Sequence, residues 1–187
     1  MSMTFELPEG LPAPEDDGGA VHLAGMAMPS VALQATSGES IDPSRLEGCT
    51  VIYVYPMTGR PGVPLPDGWD GIPGARGCTP QSCGFRDHFA ELQALGVDWV
   101  YGLSTQDSDY QREAHDRLHL PFELLSDSDF ALGDALRLPD FEVEGKRLYK
   151  RMALVLDGAR IRHVFYPVFP PDSNAGDVIA WLSENAT

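Results

Sequence analysis

The sequence predicts an α/β domain in which a central mixed β-sheet is flanked by helices on both faces. Three observations carry this. Thr50-Val-Ile-Tyr-Val-Tyr55 is β-branched or aromatic throughout with no polar alternation, the pattern of a strand buried on both faces. Strand-like and helix-like segments then alternate up to about residue 136. A hairpin pattern and a last amphipathic segment close the chain. At 187 residues the chain suits one domain with room for an arm or an insertion.

Residues 1 to 21 are dense in proline, glycine and acids, and are expected to form an acidic arm, flexible or else hugging the surface. The single domain is expected over 22–187. Residues 31–35 form a first strand candidate and 50–55 the second, ended by Pro56. Residues 57–77 hold ten glycines and prolines in 21 positions, so no helix or strand runs through them. Trp69 and Ile72 are the candidate anchors of this long loop. A helix follows, capped by Thr79, with Pro80 in its first turn and Gly96 at its end. Phe85, Phe89, Leu92 and Leu95 share one helical face. A buried strand (97–101), a polar helix (107–119), a short strand (122–125) and a short helix (129–136) come next. The hairpin strands are 152–156 and 161–166, joined at Asp157-Gly158. The final helix is capped within 172–174 and buries Val178, Ile179 and Leu182.

Composition excludes several function classes. Lys plus Arg number 13 against 28 Asp plus Glu, a formal charge of −15. Neither a nucleic-acid backbone nor an anionic membrane surface is an expected partner for such a chain. No apolar run reaches the roughly 18 residues of a membrane span. The first residues lack the basic start and apolar core of a secretory signal. Three cysteines, an odd and small number, argue against a disulfide-stapled secreted fold and make a cytoplasmic location with reduced thiols the expectation.

The chemistry centres on Gly77-Cys-Thr-Pro-Gln-Ser-Cys-Gly-Phe-Arg-Asp87. Cys78 lies where the glycine-rich loop gives way to a helix, and the unsatisfied N–H groups there favour an anion. The thiolate is the reactive form of cysteine. Cys83 follows five positions later. Five helical steps put the two Cα atoms roughly 8–9 Å apart on different faces, whereas a disulfide needs about 7 Å or less. Pairing the two cysteines therefore requires the first helical turns to unwind. Two buried structural thiols are the plain alternative. Metal binding is not expected, because C-x₄-C lacks zinc-ligand spacing and has no second ligand pair. Cys49, before the buried strand, reads as structural. A cysteine thiolate in so acidic a protein needs a nearby cation. Arg151, just ahead of the strand at 152, is the candidate, against the alternative of a solvated strand-end arginine.

The same segment resembles the active-site stretch of the Q-type peroxiredoxins, or bacterioferritin comigratory proteins, of the AhpC/TSA superfamily. Further resemblances follow in order: Gly25–Leu33, Tyr53-Val-Tyr-Pro56, Pro121–Asp129 and Arg151–Asp157. The resemblance implies a thioredoxin-like fold and thiol peroxidase activity without a cofactor. It implies that Cys78 is the peroxidatic and Cys83 the resolving cysteine, that Pro56 shields the pocket, and that Arg151 holds thiolate and peroxide. The implied partners are hydrogen peroxide or an alkyl hydroperoxide and a thioredoxin-like dithiol reductant, in a monomer or homodimer. The alternative is a thiol–disulfide sensor or electron carrier of the same fold with little peroxidase activity. The family places a threonine three residues before the cysteine, and here Ala75 stands there. The 57–77 loop reads as an insertion, with Thr58 folding back, or Thr79, to supply the hydroxyl. Gln81 stands where many relatives carry glutamate.

Overall fold

The computed structural model describes residues 6–186. Seven strands form one mixed sheet in the order β2-β1-β5-β4-β3-β8-β9. They are β1 (Leu33–Ala35), β2 (Ser40–Ile41), β3 (Cys49–Val54), β4 (Val97–Ser104), β5 (Leu124–Ser126), β8 (Met152–Asp157) and β9 (Arg160–Phe165). Strand β3 is central. It runs parallel to β4 and antiparallel to β8, so that Tyr53 lies beside Gly102 on one side and Ala153 on the other. Among the described residues, no helix is long and apolar enough to cross a membrane.

The apolar run in β3 serves both faces. Val51, Tyr53 and Tyr55 pack with α1 (Cys78–Asp87), α2 (Phe89–Ala94) and α5 (Asn174–Glu184). Ile52 and Val54 join the opposite cluster, with α4 (Ala131–Leu136) and with Leu23 and Met28 from the chain's start. Every β3 residue from Thr50 onward is fully buried, which is why no polar alternation is tolerated there. The remaining helix, α3 (Ser108–Leu118), is capped by the Asp107 side chain.

The structure corrects several sequence expectations. The helix expected from Thr79 to Gly96 is two helices, broken at His88. Gly77, not Thr79, occupies the cap position, and Thr79 lies inside the first turn. The break re-aims the apolar face. Phe85 and Leu92 are fully buried, while Leu95 is left 37% exposed. Strand β4 runs on to Ser104, and Trp99 within it faces solvent.

A second hairpin was not anticipated. Strands β6 (Asp140–Val143) and β7 (Lys146–Tyr149) pair across Glu144 and Gly145, both at positive φ, the geometry of a tight hairpin turn. This hairpin is the seat of the 57–77 loop. Met57, Trp69 and Ala75 form a third apolar cluster with Leu148, flanked by Ile72 and Phe141. Trp69 and Ile72 thus anchor the loop as the sequence suggested, and Trp69 is 3% exposed.

Residues 1–5 of the acidic arm lie outside the described residues. The rest follows the surface of the fold. Asp17 accepts hydrogen bonds from Lys150 Nζ at 2.8 Å and Tyr166 Oη at 2.7 Å. These contacts hold its carboxyl well below the usual range.

Candidate active site

The site is assembled where the loop ends and α1 begins. Gly77 precedes the helix at φ 118, a left-handed conformation, and a Cβ there would come within 2.4 Å of Pro171. Only glycine serves at this position. It delivers Cys78 as the first residue of α1, 4% exposed. The helix is pressed onto the sheet by Tyr53, whose ring stacks on Phe85 at 4.6 Å and whose hydroxyl donates to Ser82 Oγ at 3.0 Å.

Arg151 comes from the chain just before β8 and reaches under the same turn. Its Nη2 donates to Cys78 Sγ at 3.3 Å, to the Ala75 carbonyl at 2.9 Å and to the Gly74 carbonyl at 3.2 Å. Its Nη1 donates to Gln81 Oε1 at 2.5 Å. The alternative of a solvated strand-end arginine is excluded, since Arg151 is 3% exposed. Among the described residues no carboxylate pairs with it. A buried guanidinium without an acid is costly. The Cys78 sulfur is the reactive side chain set against it.

Cys78 opens into a cleft of about 310 Å³ whose walls include Met57, Trp69, Thr79 and Pro80, with Arg60 and Arg117 also lining it. Glu113 accepts from Arg117 at 2.7 Å and lies 3.9 Å from Arg60. A larger hollow of about 470 Å³ lies beside Arg151 and includes neither cysteine.

The structure brings Cys78 and Arg151 together, and Thr79 follows Cys78 on the wall of the same cleft. Cys83 sits in the same helix but inside the apolar cluster, 8% exposed. Burial pushes its thiol pKa up, Arg86 opposes that, and Asp87 adds to it. All three cysteines are free thiols. Cys49 begins β3 and is half-buried, its N–H bonded to Asp98. Pro56 is buried just past the end of β3. Thr58 does not fold back to the thiol. Its hydroxyl donates to Gln106 Oε1 at 3.2 Å, and Gln106 Nε2 donates to its carbonyl at 3.1 Å. This two-way clamp holds a fully buried Thr58 away from the cleft wall. Sequence reasoning noted Gln81 only as a departure from relatives, and it missed Asn174, whose Oδ1 accepts from Gln81 Nε2 at 2.9 Å.

Comparison with known proteins agrees with this geometry. The redoxin family profile matches residues 23–179. Peroxiredoxin Bcp of Escherichia coli K12 is 30% identical over 173 residues, covering 87% of this chain and 97% of that protein. Among solved structures, peroxidoxin BcpB from Mycobacterium tuberculosis superposes with a TM-score of 0.71 at 22% identity, covering 89% of this chain and all of that one. Peroxiredoxin Q from Xanthomonas campestris gives 0.67 at 22% identity, covering 89% and 98%. The two structural likenesses establish the thioredoxin-like fold. The profile and the Escherichia coli relative establish that the chain belongs to the redoxin family, as a peroxiredoxin of the Bcp, or Q, type.

Proposed function

We propose that this chain is a thiol peroxidase in which Cys78 is the peroxidatic and Cys83 the resolving cysteine. The observation that carries the reading is the buried, acid-free guanidinium of Arg151 against the sulfur of Cys78. The Cys78 thiolate attacks the terminal oxygen of the hydroperoxide and breaks the O–O bond. The departing oxygen leaves as alkoxide or hydroxide and takes a proton to become alcohol or water. Cys78 is then a sulfenic acid. Arg151 donates to the thiolate and then to the oxygen that gains charge in the transition state. Thr79 supplies the hydroxyl that orients the peroxide, since it shares the cleft wall with Cys78. Pro56 shields the pocket.

Cys83 then condenses with the sulfenic acid, forming the S–S bond and releasing water. The helical spacing forbids this in the folded α1, so residues 78–83 unwind first. A thioredoxin-like dithiol returns both cysteines to thiols by exchange and is itself oxidised. We place the protein in a cytoplasmic, thiol-reducing setting, as monomer or homodimer. Stopped-flow mixing with hydrogen peroxide and with an alkyl hydroperoxide tests the reading. One equivalent should be consumed per reduced chain, far faster than free cysteine consumes it. Oxidation at the free-cysteine rate would contradict it.

A further inference from the structure

Arg151 is not held by an acid but by a neutral chain of amides. Gln81 stands between Arg151 and Asn174: its carbonyl oxygen accepts from Arg151 Nη1 at 2.5 Å and its amide donates to Asn174 Oδ1 at 2.9 Å. All three side chains are nearly sealed from water, at 3%, 0% and 1% exposure. Asn174 is the first residue of α5, far along the chain from the active-site turn. Its Nδ2 and Arg151 Nε are both buried without a partner among the described residues. A buried amide pair of this kind costs desolvation that its hydrogen bonds offset only in part, because two of the donors stay unpaired.

Two consequences follow from its chemistry. A glutamine fixes the direction of the guanidinium without neutralising it, so the full charge faces Cys78. And Gln81 lies within the 78–83 stretch that must unwind for Cys83 to reach Cys78. The Gln81 tie on the arginine lasts only while the first turn of α1 is folded, which leaves the guanidinium on the Gly74 and Ala75 carbonyls alone once the turn opens. We propose that Asn174 is a positioning residue which, through Gln81, orients Arg151 for the peroxide step and ties that orientation to the folded state of α1. The proposal rests on the peroxidase reading above.

First-turnover kinetics in the full chain test it, with peroxide loss followed by stopped flow and disulfide formation followed by mass in the same samples. Asn174→Leu keeps the γ-branched outline, in a bulkier side chain, but removes the acceptor. It should slow the peroxide step about tenfold, since a bond orienting a charged group is lost. It should speed disulfide formation about fivefold, since one tie on the first turn is gone. Asn174→Asp restores the acceptor and should return the peroxide step to near the wild-type rate. Gln81→Glu places a carboxylate on Arg151 and should raise the pH at which the peroxide step is half-maximal. Equal peroxide rates in Asn174→Leu and wild type would overturn the proposal. So would an Asn174→Asp variant as slow as Asn174→Leu, because the site would then need asparagine for packing alone. A wild-type chain no faster than free cysteine would instead remove the peroxidase reading and the proposal with it.

Discussion

Cys78 and Cys83 are five residues apart in one helix, yet their surroundings differ. Cys78 lies at the helix start against a guanidinium and opens into a cleft. Cys83 lies among Tyr53, Phe85 and Val178 in an apolar cluster that raises its pKa. One environment sets a guanidinium against the sulfur, and the other surrounds it with apolar side chains that disfavour the thiolate. The order of the two chemical steps follows from that contrast. On the proposed reading, Cys78 reacts with peroxide in the folded state, and Cys83 becomes a nucleophile only after the turn opens.

The largest test of the contrast is Cys78→Ser, which should abolish both peroxide consumption and disulfide formation. Residual fast turnover in that variant would move the reaction to another thiol. Next is Arg151. Arg151→Leu should slow the peroxide step by about 10²–10³, the usual cost of losing a preorganised donor. Arg151→Lys should recover little, because an ammonium cannot make the fork of contacts to Cys78, Gln81 and two carbonyls at once. Rates equal to wild type would show that the guanidinium is structural. Disulfide formation, read apart from peroxide loss, should accelerate as pH rises above neutral. The sign follows from ordinary thiol chemistry: Cys83 is protonated near pH 7, burial raising its pKa further while α1 is folded, and the attacking form is the thiolate. A flat profile would place Cys83 outside the slow step.

The smallest effect separates the fold from the site. His163 stacks on Trp181 at 4.5 Å, and burial lowers its pKa below 6.5. The unfolded chain therefore binds the proton first. Its contribution to stability is complete above about pH 6.5 and is lost as pH falls below that. The melting temperature should drop between pH 7 and pH 5 in the wild type and drop less in His163→Phe. An identical drop in both would assign the acid sensitivity elsewhere.

Much of this was legible in the chain. The unbroken apolar run of β3 and the β8–β9 hairpin are local signals, and each formed as read. The site was half-legible. The pairing of Cys78 with Arg151 depends on contacts made 73 residues apart, and nothing near residue 151 announces that the arginine is buried. The β6–β7 hairpin was hidden because its strands are short, charged and only partly buried. Thr58 was misplaced because its position is set by Gln106, two residues past the end of β4. Asn174 looked like an ordinary helix cap. Its actual partner is a glutamine in a different helix.

The central claim is that Cys78 takes the oxygen and Cys83 closes the bond. Trypsin cuts after Arg76 and Arg86, so a single peptide, residues 77–86, carries both cysteines. One equivalent of peroxide added to the reduced protein should leave this peptide about 2 Da lighter, with Cys49 still open to alkylation. An unchanged 77–86 peptide, or a disulfide that includes Cys49, would contradict the account.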